Sequence, residues 1–222
     1  MAVDTRLVEE IVRQILAAKA VQNVEAKAES NELPIIPVGV SARHVHLSRK
    51  DMDTLFGKDS ELTPIKDLMG GQFAAQEQVT IIGPSLRPIE KVRVLGPLRK
   101  QTQVEISCTD AFVLKVKPPV RPSGDLKGSA GISIVGPKGV VKLEEGCIIA
   151  NRHIHMSPAD AARYGVKDGD YVNVLAEGER RTMLYGVQVR VSPEFTLEMH
   201  IDTDDANAIG FKGKTEVTMF KR

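Results

Sequence analysis

Four of the five histidines in this 222-residue chain fall in two copies of one short pattern. His44 and His46 lie in the stretch VSARHVHLS, and His153 and His155 lie in IANRHIHMS, so each copy contains Arg-His-x-His-apolar-Ser. Residues two apart on a β-strand point to the same side, and each copy therefore presents two imidazoles together. Paired imidazoles commonly bind zinc or another first-row metal. One such pair could be two polar residues on a solvated face, but the repetition favours two ligand pairs.

One further histidine and two glutamates are candidates to complete these sites. His200 and Glu198 share the predicted strand TLEMHI, whereas Glu105 lies in the predicted strand TQVEIS. Gln103 and Ser107 share a strand face with Glu105, so that face is polar and could line a site. A solvated strand face is the alternative interpretation for either glutamate. Every histidine thus belongs to a candidate ligand set, and none is left as an obvious free base.

Short β-strands must position these side chains, because the chain after residue 33 consists mostly of β-branched runs separated by turns. The predicted strands are VTIIGP, VRVLGP, ISIVGP, QVEISC, FVLKVK, YVNVLAE, LYGVQVRV, TLEMHI and TEVTMF. Helices are predicted only after Ser48 and Ser157, each an N-cap with an acidic residue three positions later. These helices end near Gly57 and Gly165. Many short strands with few helices indicate a barrel or a sandwich.

The two His-x-His motifs share their whole context, which is a strand, the motif, a capped helix and a glycine. The interval from His44 to His153 agrees to within one residue with the interval from Gly57 to Gly165. This agreement indicates an internal duplication. We therefore expect two related β units that face each other across a pseudo-symmetric interface.

Residues 1–20 differ in pattern from the rest of the chain. Their apolar residues recur at three- and four-residue spacing, which predicts an amphipathic helix, and residues 21–33 are typical of a linker. A tethered helix of this kind is suited to dock in a groove of a partner, although it could also pack on its own domain. An exposed apolar stripe also favours self-association into a homo-oligomer.

Composition excludes several classes of function. The net charge of +1 gives no sign of a nucleic-acid partner, and no apolar run is long enough to predict a membrane span. No secretory signal is recognisable in the first twenty residues. Cys108 and Cys147 could form a disulfide, but two free core thiols are expected for a cytosolic enzyme of this size.

Four stretches, in order, resemble the PduL-type phosphate acyltransferases, or phosphate propanoyltransferases, of bacterial microcompartments. They are VSARHVHLS, VLGPLRKQTQVEIS, IIANRHIHMSPADAARYGVKDGD and LEMHIDTDDANA, and the resemblance covers essentially the whole chain after the linker. It extends to the N-terminus, because family members often carry an amphipathic encapsulation helix there. It implies a location in a microcompartment within the cytoplasm, in propanediol degradation, with residues 1–20 contacting shell or core proteins.

The resemblance also implies a mainly β fold of two β-barrels with short capping helices. Residues 34–43 and 151–222 would form the first barrel, and residues 44–150 would form the second. The implied activity is the reversible reaction of acyl-CoA and phosphate to give acyl-phosphate and CoA.

Two divalent metals, most often zinc, would lie between the barrels. The positions that match the family's ligands are His44 and His46 for one metal, with an open position for the CoA sulfur, and Glu105, His153, His155 and His200 for the other. Arg99, in GPLRKQT, matches the arginine that binds phosphate.

These roles agree with the chemistry of the reaction. Phosphate is a dianion and a poor nucleophile, so a metal and a guanidinium are suited to aim one of its oxygens at the thioester carbonyl. No covalent intermediate is needed, because neither a serine nor a cysteine has an unassigned histidine beside it. Two other classes stay open: a dinuclear zinc hydrolase of an ester or phosphoester, and a metal-stabilised scaffold without activity.

Overall fold

Short strands dominate the backbone of residues 35–221, which are the residues that the computed structural model of the protein describes. In chain order the strands are β1 (Ile36–Val40), β2 (His44–His46), β3 (Pro64–Asp67), β4 (Phe73–Ile82), β5 (Pro88–Gly96), β6 (Gln103–Glu105), β7 (Val120–Arg121), β8 (Ala130–Val135), β9 (Val140–Ala150), β10 (His153–Met156), β11 (Tyr171–Ala176), β12 (Thr182–Val191), β13 (Glu198–Ile201) and β14 (Glu216–Lys221). The helices are α1 (Arg49–Phe56), α2 (Cys108–Leu114), α3 (Pro158–Tyr164) and α4 (Thr203–Ala208), with a 3-10 turn at Met69–Gly71. The predicted helix 1–20 and linker 21–33 lie outside the described residues.

The strands close into two six-stranded barrels, which confirms the expected fold class. The first barrel has the order β1-β13-β10-β12-β11-β14 and closes through pairing of β14 with β1. The second barrel has the order β9-β6-β2-β5-β4-β8 and closes because β8 pairs with both β4 and β9. Two further strands lie at the edge of the second barrel: β3 pairs with β4, and β7 pairs with β9.

The strand pairing shows the internal duplication directly. Both barrels run through the same sequence of parallel and antiparallel neighbours. In the first barrel β1·β13 and β10·β12 are parallel, and at the equivalent places in the second barrel β9·β6 and β2·β5 are parallel. Every other neighbouring pair in the two rings is antiparallel. The first barrel takes its strand β1 from before the second barrel, so the chain crosses between them. The residue numbers predicted for the domain boundaries stay a prediction.

Each of the four described helices begins just after a strand that carries a candidate ligand. The predicted N-caps Ser48 and Ser157 accept backbone hydrogen bonds at the starts of α1 and α3. Ser107 and Asp202 cap α2 and α4 in the same way, and these two helices were not predicted. The strand predicted at FVLKVK is wrong, because α2 occupies the first half of that segment and residues 115–117 form no strand. Its capping box between Ser107 and Asp110 stabilises a helix start and overrides the β-branched run.

The cores contain mainly Val, Ile, Leu and Met, as expected for a chain without tryptophan. Fully buried side chains include Val45, Ile81, Val94 and Ile134 in the second barrel and Ile154, Val174, Val189 and Met199 in the first. Each such side chain contributes roughly 1.5–3 kcal/mol to folding by its removal from water. Both cysteines are free, and Cys147 is buried as predicted. The prediction for Cys108 as a core thiol is wrong, since it lies exposed at the first position of α2.

Among the described helices, none has the length and apolar character needed to cross a membrane.

Candidate active site

One group of potential metal ligands is formed by β2 and β6 of the second barrel. These strands pair antiparallel with His44 directly opposite Glu105, so the two side chains project from the same face of the sheet. The Nε2 atom of His44 lies 3.4 Å from Oε2 of Glu105. His46 follows on the same face, and one ligand atom from each of the three residues lies within 4.8 Å of the others. We call His44, His46 and Glu105 the first trio; all three are buried.

The first barrel forms an equivalent group from β10 and β13. These strands are also antiparallel, with His153 opposite His200. The ring centroids of His153, His155 and His200 lie 4.6–5.4 Å apart. Their ligand atoms also fall within 4.8 Å of one another. We call these three histidines the second trio.

Glu105 occupies a different group from the one that the resemblance implied. The resemblance implied a group with His153, His155 and His200, whereas the structure places Glu105 with His44 and His46. The cause is the register of β2 against β6, which makes Glu105 the pseudo-symmetric counterpart of His200. Each barrel therefore contributes three candidate ligands.

Hydrogen bonds orient several of these imidazoles. The Nδ1 atom of His44 lies 2.9 Å from the carbonyl oxygen of Ala42, and Nδ1 of His153 lies 2.8 Å from that of Asn151. In both rings this leaves Nε2 for a ligand, which is the arrangement usual in metal-binding histidines. Glu198, an alternative carboxylate ligand in the sequence, lies outside the second trio.

The carboxylate of Glu198 contacts the ring of His200, with Oε2 lying 3.0 Å from Nε2 of the ring. Its carboxylate also packs where a side chain at Gly39 would be, because a Cβ there would lie 2.7 Å from Oε1 of Glu198. Glu198 is therefore a residue that positions His200.

Two buried ring nitrogens have no hydrogen-bond partner within the described chain. They are Nδ1 of His46 and Nε2 of His155, one in each trio. A buried polar atom without a partner costs free energy, and a metal ion would remove that cost. Three imidazoles, or two imidazoles and a carboxylate, match the ligand preferences of zinc. Both trios thus fit a divalent metal.

Burial keeps most of these histidines neutral at physiological pH. It lowers the pKa of His46 and of His155 to about 3 and that of His153 to about 4, and nearby positive charges act in the same direction on all three. A neutral imidazole is the form that binds a metal, so protons would compete weakly at these positions.

His44 and Glu105 influence each other's ionisation. Burial opposes the charged form of each, but their mutual attraction outweighs it. The pKa of His44 is raised and that of Glu105 is held well below its ordinary value. Glu105 is therefore a carboxylate at neutral pH and is available as an anionic ligand.

Arg99 lies beside the first trio. Its backbone N–H donates to the carbonyl of Leu47 at 2.8 Å, which ties it to the end of β2. Its guanidinium donates to Oγ of Ser123 at 3.3 Å and to Oε1 of Gln72 at 3.2 Å. Both acceptors are neutral, so the charge of this half-buried arginine is not balanced by either contact. Burial is the main cause of the low pKa of His46, and the positive charge of Arg99 lowers that pKa further.

The loop before β4 joins the two halves of the site. Gln72 of this loop contacts Arg99, and Sδ of Met69 lies 2.9 Å from Nδ1 of His155 in the other barrel. Phe195 stacks on the ring of His155 with centroids 4.2 Å apart. Both trios therefore lie where the two barrels meet.

Several of these contacts could not be found from the sequence. Met69, Gln72 and Ser123 lie in loops with no local pattern that predicts a site. Gln188 and Arg190 do alternate on one face of the predicted strand LYGVQVRV, which is a signal for a polar face. Only the pairing of β12 with β10 places that face beside the histidines.

Comparison with known proteins shows the family of the chain. The sequence pattern of the phosphate propanoyltransferase family matches residues 37–212, a range that includes both trios and Arg99. The chain belongs to the phosphate propanoyltransferase family.

Individual members of the family are similar over most of their length. A phosphate propanoyltransferase of Lachnoclostridium phytofermentans is 60% identical over 194 residues, covering 87% of this chain and 91% of the relative. That of Thermotoga maritima is 62% identical over 177 residues, covering 79% and 84%. That of Rhodopseudomonas palustris is 44% identical over 227 residues and covers 100% of both chains.

Proposed function

We propose that the protein is a phosphate acyltransferase that interconverts acyl-CoA plus phosphate and acyl-phosphate plus CoA. The observation that carries this proposal is the placement of Arg99 beside a candidate metal trio, with neutral hydrogen-bond partners and no carboxylate bonded to its guanidinium. Family membership supports it, since the relatives are named as phosphate propanoyltransferases. The substrates would be acyl-CoA, CoA and inorganic phosphate.

Two divalent ions, zinc by preference, would be held by the first trio and by the second trio. When bound, they would supply Lewis acids that polarise the carbonyl and favour a departing thiolate. The protein groups would hold these ions at opposite sides of the contact between the barrels. Glu198 would keep the His200 ring in one orientation, as carboxylates do for many ligating histidines.

Arg99 would bind the phosphate dianion through paired N–H groups and aim one oxygen at the thioester carbonyl carbon. A bond then forms between that phosphate oxygen and the carbonyl carbon, and the carbon–sulfur bond breaks. The electron pair of that bond leaves with the sulfur of CoA, and the acyl group remains on phosphate. The guanidinium also stabilises the oxyanion of the tetrahedral stage. No histidine outside the two trios is needed as a base.

The polar contacts around Glu105 link it to Arg99, as expected if a metal ligand and a phosphate ligand act together. Gln103 donates to Glu105 and, at 2.9 Å, to Oγ of Ser123, which in turn accepts from Arg99. This chain of side chains connects a candidate metal ligand to the candidate phosphate ligand. It would keep the distance between them constant during turnover.

A hydrolase of esters is the second candidate, because a similar pair of metals can activate water. The decisive test measures release of CoA from propanoyl-CoA by the metal-loaded protein, with and without phosphate. We expect release only with phosphate, together with an equal amount of acyl-phosphate trapped as a hydroxamate. Equal release without phosphate would favour the hydrolase.

We further propose that residues 1–20 bind microcompartment shell or core proteins and that the protein is a homo-oligomer. This proposal rests on the apolar stripe of that segment and on the linker that follows it.

A further inference from the structure

Arg190 lies beside the second trio without belonging to it. It occupies β12, where it pairs in register with His155 on the parallel neighbour β10, so both side chains project from the same face. Its guanidinium carbon lies 5.9 Å from the ring centroid of Phe195, and that ring stacks on His155. The guanidinium is thus held on the side of the sheet that carries the candidate ligands.

The charge of Arg190 has no balancing partner in the described part of the chain. Arg190 is half-buried, yet residues 35–221 give its side chain neither an ion pair nor a hydrogen bond. Five other arginines in this range do pair with a carboxylate: Arg43, Arg49, Arg121, Arg152 and Arg181. An unpaired guanidinium that has lost part of its water is costly unless an anion binds to it.

Arg190 is close enough to Arg99 for the two charges to act on each other. Burial lowers the pKa of Arg99; the nearby carboxylate of Glu105 opposes this shift, and the positive charge of Arg190 adds to it. The two arginines come from different barrels, so the fold brings like charges together at the contact between them. Metals in the trios would add to this positive potential. Such a concentration of positive charge is suited to an anion that carries more than one charge.

We propose that Arg190 is a second phosphate-binding residue, which holds the phosphate substrate from the first barrel while Arg99 holds it from the second. The inference rests on the proposed function and deepens it. A phosphate is tetrahedral, so its oxygens point in several directions and can be met by two guanidiniums from opposite sides. A planar monoanionic carboxylate offers no such second set of oxygens.

The test measures binding of inorganic phosphate to the full-length, metal-loaded protein by equilibrium dialysis, without acyl-CoA. Arg190→Ala should raise the phosphate Kd by about tenfold to a hundredfold, the usual effect of losing a charged hydrogen-bond partner. Arg190→Lys should fall between it and the wild type, because lysine keeps the charge but loses the planar fork. Arg181→Ala is the matched control, since it removes one positive charge from an exposed ion pair with Glu177. Its phosphate Kd should match that of the wild type.

CoA also carries phosphate groups, and Arg190 could bind one of these instead of inorganic phosphate. A second thioester substrate distinguishes the two cases. Kinetics with an acyl-pantetheine, a thioester without phosphate groups, should show the same loss in kcat/KM for phosphate as kinetics with acyl-CoA. Wild-type behaviour of Arg190→Ala with acyl-pantetheine would assign the residue to CoA and overturn the proposal.

Two further results would also overturn it: an unchanged phosphate Kd in Arg190→Ala, or a loss of bound metal in that variant. The dialysis needs no turnover. A protein that binds phosphate through Arg190 but transfers no acyl group would therefore contradict the proposed function and leave this inference in place.

Discussion

At the scale of single residues, the candidate site consists of two equivalent sets of three side chains with one difference. The position filled by His200 in the second trio is filled by Glu105 in the first. The second set consists of three imidazoles, whereas the first includes a carboxylate. A metal held by the first trio would thus keep a lower net charge than one held by the second.

Removal of one histidine from either trio should remove one metal. We expect metal content to fall from two toward one per chain in both His44→Ala and His155→Ala, because each leaves only two ligands in its own trio. Activity should be lost in both. Elemental analysis of protein dialysed against trace zinc gives the stoichiometry, with Arg181→Ala as the control that should keep two metals. Unchanged stoichiometry in both histidine variants would rule out the dinuclear site.

Arg99→Ala should impair phosphate use while leaving the metals in place. The expected loss is on the order of a hundredfold in kcat/KM for phosphate, as for removal of a donor that stabilises a developing charge. Arg99→Lys should recover only part of this, because the two parallel N–H groups are lost. Steady-state kinetics with phosphate as the varied substrate makes the measurement. Wild-type kinetics in Arg99→Ala would show that another residue binds phosphate.

At the scale of elements, each strand that carries a His-x-His pair is joined by an ion pair to a helix. That helix follows the strand that completes the trio. Arg43 precedes His44 and donates twice to Asp110 of α2, at 2.8 Å from each nitrogen. Arg152 precedes His153 and lies 3.3 Å from Asp205 of α4. The arginine in each Arg-His-x-His motif thus has a structural role. It fixes the strand with the His-x-His pair against the strand that completes the trio.

Loss of the buried carboxylate in this arrangement should be costly to stability. Asp110 also accepts from the backbone N–H of Ser107, so Asp110→Ala removes both a helix cap and an ion pair. We expect a loss of about 2–4 kcal/mol in the free energy of unfolding. Urea denaturation of metal-free protein gives this value. Asp125→Ala, which removes a surface ion pair with Arg121, is the control and should lose less than about 1 kcal/mol. Similar losses in the two variants would contradict the role assigned to Asp110.

The sequence predicted the local features of these elements and missed the non-local ones. The His-x-His strands and the caps at Ser48 and Ser157 have signals within a few residues, and all are present in the structure. The grouping of Glu105 with His44 depends on the register of two strands about sixty residues apart, which no local pattern specifies. The helix α2 was not predicted, because the apolar residues of FVLKVK favoured a strand. The capping box at Ser107 and Asp110 was the local signal for a helix.

At the scale of the whole molecule, the site exists only where the two barrels meet. The second barrel supplies Arg99 and the first trio, and the first barrel supplies the second trio. Contacts across this junction include the backbone N–H of Thr109, which donates to Asp204 at 2.7 Å, and the approach of Met69 to His155. Neither barrel alone could position both sets of groups, so the candidate site depends on both barrels.

Deletion of residues 1–20 should separate localisation from catalysis. We expect turnover near that of the wild type, because both trios and Arg99 lie within residues 35–221. Co-localisation of a fluorescent fusion with shell proteins should be lost, and light scattering should show smaller assemblies, since the apolar stripe is removed. An unfolded or inactive truncated protein would show that the segment belongs to the core.

In the proposed reaction phosphate attacks the thioester directly, without an acyl group on the protein. Exchange of labelled CoA into propanoyl-CoA tests it most directly, because an acyl-enzyme would form and reverse without phosphate. For the metal-loaded protein we predict exchange only when phosphate is present, through reversal of the complete reaction. Exchange at a rate close to turnover in the absence of phosphate would contradict direct attack.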